Sequence, residues 1–428
     1  MLRANASCGA RTLPLLSVHE SKRSLALLFA FPMAIRFRWL FVSDGYAFLT
    51  RRISRFAFQY RNSSGMQSIP KRRALLFALL PALLVGTLHG GWQMNLWFNE
   101  RPDVFAVQNS WQFLIAGEWV QADPASLRDN FVRGAVYMVP MVLIACIVAG
   151  MVELFQATRQ QRAIDAGFVT TALLYVLLLP LSLPLEWVAV GMLVGAMAGA
   201  FLTQSSGRPM LHPAAVGAVF LLFAAPDRVT GDTVWTPVDG VSGTTALGLV
   251  RQGGLDTLTA AGFSWWDCFV GKTQGAMGDV SSLALLGGVL ILLAARVFSW
   301  RYVVGSVLGL VLISLVLKVF ANANDPLVAL PWYWQIALGG WTFAVFYLVA
   351  DPLVVQFPAR LEWFYGGLAS MLLLLGRVFN PAYPDGALFA VLLLGLISGL
   401  LGSVVYSPAA GARTCVGSFL SGSRSCRS

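Results

Sequence analysis

Long apolar blocks, separated by short polar connections, recur along the chain after residue 66. Most blocks are close to 20 residues, the length that an α-helix needs to cross about 30 Å of hydrocarbon. We delimit ten blocks, at residues 74–96, 131–155, 166–184, 187–203, 211–225, 280–297, 302–321, 332–350, 361–378 and 387–406. The pattern predicts an all-α integral membrane protein of about ten transmembrane helices.

The distribution of charge predicts how these helices are oriented. Cations gather at the block ends that would then face the cytoplasm, namely Lys71, Arg72, Arg73, Arg159, Arg162, Arg208, Arg296, Arg301 and Arg360. The longest polar connection, residues 226–279, holds six acidic residues against Arg228, Arg251 and Lys272. Depletion of cations is typical of an extracytoplasmic loop. We therefore expect ten crossings, with both ends inside and residues 226–279 outside.

Composition excludes an ordinary soluble protein. Hydrophobic residues make up 57% of the chain and charged residues 12%, where soluble domains carry about 25% charge. Much of the net charge of +10 comes from residues 1–65, which hold ten Arg or Lys against two acids. No basic groove with interleaved aromatic residues occurs, so nucleic-acid binding is not expected.

The two ends of the chain differ in composition from the membrane part. Residues 1–65 form a basic extension, and Met66 opens Met-Gln-Ser-Ile-Pro-Lys-Arg-Arg, a natural lead-in to a first membrane helix. Our hypothesis is that translation starts at Met66 and that the extension is a gene-model artefact. Residues 407–428 are low in complexity and are expected to be disordered.

Two segments share a pattern. Residues 207–214 and 376–382 each read Gly-Arg, a short spacer, a polar residue and Pro-Ala, and each precedes an apolar block. Since five helices is an odd number, a second set would be inserted upside down, which predicts inverted repeats at 66–225 and 280–406. Such repeats, with broken helices, mark transport and cofactor sites. The alternative is that Pro and Gly merely end helices here.

The polar connection contains a turn rich in small and hydroxyl-bearing residues. Its residues that can approach or bind a ligand are Asp239, Gly240, Ser242, Gly243, Thr244 and Thr245. The glycines let a bulky group come close to the backbone. No His lies nearby to activate a serine, so hydrolase chemistry is not indicated. On the residues alone, this segment is only a polar turn.

The same turn resembles a flavin-attachment motif. Residues 239–245 are similar to Asp-x-x-Ser-Gly-Ala-Thr in the NqrB/RnfD family, which contributes membrane subunits to the Na+-translocating NADH:quinone oxidoreductase and to the Rnf complex. In that family a flavin transferase joins the final Thr to the phosphate of FMN. The resemblance implies covalent FMN on Thr245, with Asp239, Ser242, Gly243 and Thr244 around it.

Further segments extend the resemblance over about residues 70–405, in order. Residues 207–226, 271–282 and 380–386 resemble the family's Gly-x-x-x-x-x-Asn-Pro-Ala, Gly-Ser-Ile-Gly-Glu-x-Ser and Asn-Pro-Ala-Tyr-Pro-Glu-Gly stretches. Pro-Trp-Tyr-Trp at 331–334 and Ala-Asp-Pro at 350–352 favour the quinone reductase over Rnf.

The chain departs from the family pattern at several places. Thr244 stands where the family has Ala, so a second hydroxyl is a rival attachment site. His212 replaces the Asn before Pro213, and Gly402 stands where the last helix usually carries Asp. The C-terminal tail also differs. These differences bear on ion coupling rather than on flavin binding.

Other candidate residues lie within the apolar blocks. Glu153 and Asp351 match acids that the family is thought to use in moving sodium, and carboxylates in a membrane are usually functional. The alternative is that each sits at a helix end and reaches water. Ala149 and Gly150 resemble a small-residue pair near the family's quinone site, although small residues also serve close helix packing.

The resemblance implies one membrane subunit of a six-subunit Na+-pumping NADH:ubiquinone reductase. Expected cofactors are covalent FMN and a further flavin such as riboflavin, with ubiquinone as electron acceptor and Na+ as the transported ion. The chain has no Gly-x-Gly-x-x-Gly fingerprint after a strand, so another subunit would oxidise NADH. The expected location is the bacterial inner membrane, with the flavin loop periplasmic.

Two other functions stay open at this point. An RnfD-type subunit would differ in its partners and its electron donor. A secondary transporter of the inverted-repeat type would use its broken helices to bind an anionic solute, and residues 242–245 would then be only a loop.

Overall fold

The computed structural model describes residues 68–101, 110–206, 211–238, 242–320, 325–351, 361–380, 383 and 385–405. These residues are largely helical, and no strand occurs among them. The expectations for residues 1–65 and 407–428 lie outside the described part of the chain. So does the whole of the segment 207–210 that opens the first Gly-Arg pattern.

The helices follow the apolar blocks in order. Up to the polar connection they are α1 (Ser68–Glu100), α2 (Trp111–Trp119), α3 (Leu127–Arg159), α4 (Gly167–Leu177), α5 (Leu185–Ser206) and α6 (Pro213–Ala224). The polar connection itself contains α7 (Pro226–Val229), α8 (Ala246–Ala260) and α9 (Trp265–Val270).

The remaining helices are more irregular. They are α10 (Ser282–Ala294), α11 (Trp300–Phe320), α12 (Pro326–Ala329), α13 (Trp332–Ala337), α14 (Trp341–Phe343), a π-helix (Ala344–Val349), α15 (Glu362–Phe379) and α16 (Ala387–Val405).

Two blocks do not form the continuous helices that their length suggested. The block at 166–184 is helical only to Leu177, since Pro180 and Pro184 cannot continue the hydrogen-bonding pattern. The block at 332–350 is broken between α13 and α14, where Gly339 (φ 57°) and Gly340 (φ 61°) both adopt left-handed backbone. Because both blocks are uniformly hydrophobic, the sequence pattern did not predict either interruption.

The long helices have the length and apolar surface of membrane helices. Four stretches among the described residues are long and apolar enough to span: Lys71–Glu100, Leu127–Arg159, Leu185–Leu202 and Trp300–Phe320. Shorter apolar helices lie at Gly167–Leu177, Pro213–Ala224, Ser282–Ala294 and Ala387–Ser398. Large apolar side chains of α3 are exposed, including Leu143, Ile147, Met151 and Leu154. This is an all-α membrane protein; ten crossings stay a prediction.

The helix packing repeats along the chain. In the first part α3 packs on α5, α5 on α6, and α4 on α6. In the second part α11 packs on α15, α15 on α16, and the π-helix on α16. The two parts meet where α1 packs on α10 and where α6 packs on α16.

Glycine brings α11 and α15 into close contact. Gly305 and Gly309, four residues apart, face the backbone of Trp363 and Gly367. A Cβ atom at Gly309 would overlap the backbone of Gly367. Small residues at this spacing let membrane helices approach closely and gain van der Waals contact.

We expect Gly309→Ala to destabilise the protein by about 1–3 kcal/mol, because the added methyl group has no room at this crossing. The check is the thermal unfolding midpoint of the detergent-solubilised protein. Gly287→Ala in α10 is the matched control, since no atom lies within 4 Å of its added Cβ. Equal midpoints for the two variants would contradict the close crossing.

Candidate functional site

Thr245 begins helix α8. Its side chain caps the helix, with Oγ1 accepting a hydrogen bond from the Gly248 amide at 3.1 Å. This is the usual role of a hydroxyl residue at a helix start. The cap fixes the position of the hydroxyl, and the side chain remains only half-buried. The oxygen is thus held in one place and is still reachable.

Residues 242–245 are the described part of the predicted turn, and they have no regular secondary structure. The Gly243 amide donates to the Asp232 carbonyl at 2.7 Å, and a Cβ atom at Gly243 would overlap the side chain of Gln274. Ser242 is exposed, and Thr244 is half-buried like its neighbour. Asp239 lies outside the described residues.

Thr244 and Thr245 both line a large cavity, which we call the outer cavity. It has a volume of about 480 Å³, within the range of small-molecule sites. Its apolar wall includes Leu177, Leu222, Phe343, Leu348 and Phe389, and the polar connection supplies Thr273 to Val280 along another side. The outer cavity therefore joins the sequence motif to α4, α6 and the broken helix.

The broken helix supplies a polar end to the outer cavity. Gly339 and Gly340 line it together with two acids, Asp279 and Asp385. The Gly340 amide donates to Asp279 Oδ1. A Cβ atom at Gly340 would lie 3.0 Å from Asp385 Oδ1 and 3.5 Å from Asp279 Oδ2. Both carboxylates thus flank the same glycine.

Arg377 completes this polar end from α15. Its guanidinium is fully buried and donates to Gln335 Oε1 at 2.7 Å and to the Asp385 carbonyl at 3.2 Å. Arg377 Nη2 lies 4.0 Å from Asp385 Oδ1. Neither of these two atoms has a hydrogen-bond partner among the described residues. A buried donor and acceptor in this condition call for an explanation, such as a water, an ion or a ligand between them.

The two acids titrate above their ordinary range. Burial, followed by the charge of Asp385, raises the pKa of Asp279, and burial raises the pKa of Asp385. The Arg377 guanidinium opposes both shifts. Half of the Asp385 side-chain surface is exposed, and Asp385 is one of the residues that line the outer cavity. The pair therefore holds protons more readily than two carboxyl groups in water.

A second cavity, which we call the inner cavity, brings together other predicted residues. It has a volume of about 510 Å³, and Ala149, Glu153, Phe168 and Met192 are among its lining residues. Gly150 lies beside it, since a Cβ atom there would be 3.2 Å from the Phe168 ring. The quinone-site candidates and one ion-path candidate thus occupy one region.

Glu153 is already engaged by donors at the inner cavity. Arg162 donates to both carboxylate oxygens, at 2.5 and 2.9 Å, and the Asp165 amide donates to Oε1 at 2.7 Å. Asp165 in turn pairs with Arg72. The carboxylate therefore anchors the connection between α3 and α4 in this structure.

Asp351 lies apart from both cavities. It is fully buried and lies 3.1 Å from His212 Nε2. His212 Nδ1 accepts from the Ala214 amide at 3.2 Å, which places the ring proton on Nε2. His212 therefore caps α6 and donates to Asp351 with the same ring. No pattern in the sequence indicated that these two residues meet.

The sequence singled out neither the acids nor the arginine at the outer cavity as site residues. Asp279 and Asp385 lie in segments that resemble the family, and Arg377 lies in the second Gly-Arg pattern. Their clustering needed the three-dimensional fold. A sequence signal exists nevertheless: charged residues that flank apolar blocks within matched segments are candidates for one shared site.

We expect His212→Ala to lower the stability of the folded protein by about 3 kcal/mol, since the buried Asp351 side chain loses a hydrogen-bond partner and α6 loses its cap. His212→Asn is the matched variant, because its amide oxygen can still accept from the Ala214 amide at the start of α6, whereas its shorter side chain does not reach Asp351 as Nε2 does. Thermal unfolding midpoints should fall in the order wild type, Asn, Ala. Wild-type stability in the Ala variant would contradict the pair.

Comparison with known proteins gives a family match over most of the chain. The family model described as NQR2, RnfD, RnfE matches residues 61–411. A protein of Ectopseudomonas mendocina, named as the B-type subunit of Na(+)-translocating NADH-quinone reductase, is 37% identical over 321 residues, covering 75% of this chain and 80% of the relative. A protein of Azotobacter vinelandii with the same name is 38% identical over 333 residues, covering 77% and 83%. The chain belongs to the NQR2, RnfD, RnfE family.

Proposed function

We propose that this chain is a membrane subunit of a Na+-translocating NADH-quinone reductase, and that it carries FMN esterified to Thr245. The observation that carries the proposal is the Thr245 hydroxyl, which is fixed by its cap and lies at the wall of a 480 Å³ cavity. The names of the relatives support the reductase assignment over an Rnf-type subunit. Family membership likewise disfavours the transporter alternative.

The residues at the outer cavity suit a covalently held flavin. A phosphoester needs a hydroxyl, and Thr245 Oγ1 can still accept from the Gly248 amide after it has lost its proton. The apolar wall suits an aromatic ring system, and the orphaned atoms of Arg377 and Asp385 suit a polar edge. When bound, the flavin supplies a carrier of electrons. Thr244 lines the same cavity and is the rival attachment point.

The inner cavity is our candidate for the quinone. Ala149 lies on its wall, and Gly150, which has no side chain, leaves room for the adjacent Phe168 ring. Arg162 and Glu153 provide charged groups at the same site. We propose Glu153 and Asp351 as residues of the sodium path, with Asp351 acting through its contact with His212.

The proposal includes a topology and partners. Ten crossings in two inverted five-helix repeats would place residues 226–279 on the periplasmic side of a bacterial inner membrane. The equivalent packing of α3, α5 and α6 and of α11, α15 and α16 supports the repeat. NADH oxidation is assigned to other subunits of a six-subunit complex, and a flavin transferase would attach the FMN. A further flavin such as riboflavin, and ubiquinone as the acceptor, belong to the same proposal.

The attachment is tested with the full chain expressed beside its partner subunits and a flavin transferase. We expect a fluorescent flavin band after denaturing electrophoresis, absent in Thr245→Val and present in Thr244→Val. Valine keeps the shape of threonine and removes the hydroxyl that forms the ester. The mass of the peptide spanning residues 235–260 should exceed its unmodified mass by FMN less one water.

The outcome also separates the two threonines. Loss of the band in Thr244→Val alone would move the attachment to Thr244. An unmodified wild-type peptide, obtained beside an active transferase, would refute the covalent flavin.

The quinone assignment is tested by Gly150→Leu. The longer side chain would push against Phe168 at the inner cavity, so we expect the apparent KM for quinone to rise about tenfold or more, equivalent to about 1.4 kcal/mol. Steady-state kinetics of the assembled complex measure this. Gly287→Leu is the control, because its Cβ atom would meet open space. Unchanged quinone dependence in Gly150→Leu would remove the inner cavity from consideration.

A further inference from the structure

We propose that Asp279, Asp385 and Arg377 control the redox potential of the flavin held in the outer cavity. The two carboxylates oppose reduction of the flavin, and the guanidinium favours it. This inference rests on the proposed function, because it requires FMN on Thr245. It adds a role for residues that the attachment motif does not contain.

All three residues lie at or beside one end of the outer cavity. Asp279 and Asp385 line the same cavity as Thr245, and Arg377 lies against both Gly339 and Asp385. The three residues come from three separate parts of the chain. They converge at Gly339–Gly340, where the left-handed backbone and the missing side chains leave room. A ligand that fills the outer cavity from Thr245 towards this end must come close to their charges.

Two of the charged groups have an atom without a hydrogen-bond partner among the described residues. Arg377 is fully buried, and its Nη2 has no hydrogen-bond partner among the described residues. Asp385 Oδ1 is in the same condition, although the two atoms are 4.0 Å apart. Charges away from water act on their neighbours much more strongly than charges on a hydrated surface. Reduction makes a flavin more electron-rich, so these charges bear directly on its potential.

Few other titratable groups face the outer cavity. Asp232 lies on its wall beside the turn, and Tyr383 lies on the opposite wall. Asp232 is exposed, which weakens its influence. Tyr383 donates its hydroxyl hydrogen to the Leu222 carbonyl at 3.1 Å. The group of three at the polar end therefore supplies the dominant field.

The expected pH dependence follows from the sign of the charges. The pKa of Asp279 is raised to about 8, and that of Asp385 is also raised, so Asp279 gains negative charge as pH rises through its raised pKa. The opposition to flavin reduction then grows. Replacing one carboxylate should therefore change the redox potential of the flavin little at low pH and more at high pH.

The test is a redox titration of the purified complex, carried out between pH 6 and pH 9. The signal of this FMN is isolated as the difference between wild-type complex and the Thr245→Val complex. Asp279→Asn is the principal variant, because its amide oxygen can still accept from the Gly340 amide. Asp385→Asn is a second variant that keeps the side-chain shape. Asp267→Asn is the matched control, since Asp267 pairs with Lys272 and is not part of the outer cavity.

We expect Asp279→Asn to raise the ratio of reduced to oxidised flavin about tenfold at pH 9, equivalent to about 30 mV for a two-electron couple. The difference from wild type should shrink towards pH 6. Arg377→Gln should shift the potential in the opposite direction. Asp267→Asn should match wild type throughout.

The results that would refute this inference alone differ from those that would also refute the proposed function. Wild-type potentials at every pH in Asp279→Asn and Asp385→Asn, with FMN attached, would overturn this inference and leave the proposed function intact. A shift of equal size in Asp267→Asn would also overturn it, because the effect would not be specific to the outer cavity. A wild-type peptide without FMN would refute the proposed function, and this inference with it.

Discussion

A helix that stops within apolar surroundings leaves amide and carbonyl groups that water cannot reach, and each must find a partner inside the protein. The breaks in this chain are stabilised by side chains. Asp279 accepts from the Gly340 amide, and Arg377 donates to the Gln335 and Asp385 carbonyls. His212 Nδ1 accepts from the Ala214 amide at the start of α6. The charged residues near the breaks are therefore first of all a solution to backbone hydrogen bonding.

The same constraint explains where the cavities form. Helix α4 has 11 residues and α6 has 12, so each rises only about 16–18 Å, well short of a bilayer core of about 30 Å. The outer cavity is lined by Leu177 at the end of α4, and the inner cavity by Gly167 at its start. Short helices thus leave room for ligands at both of their ends.

Much of the fold was predictable because hydrophobic length is a direct consequence of the membrane. Every predicted block contains at least one helix, and two residues of the predicted attachment turn, Thr244 and Thr245, line a cavity. The break at Gly339–Gly340 was missed, since two glycines in an apolar run do not reveal their backbone angles. The contact of His212 with Asp351, 139 residues apart, was equally invisible, because periodicity describes one helix at a time. The sequence places three residues of the outer cavity's polar end in separate segments, and only tertiary packing makes them neighbours. They are Asp279, Asp385 and Arg377.

The His212–Asp351 pair has a mechanical consequence. His212 lies before the polar connection and Asp351 after it, and a hydrogen bond of 3.1 Å joins their side chains. A hydrogen bond weakens steeply once its atoms separate beyond about 3.5 Å, so a small displacement of these two parts of the chain against each other would break it. A typical hydrogen bond within a protein contributes about 0.5–1.5 kcal/mol to stability. A rocking motion that separates the two residues therefore has to overcome this contribution together with that of the other contacts between the two parts.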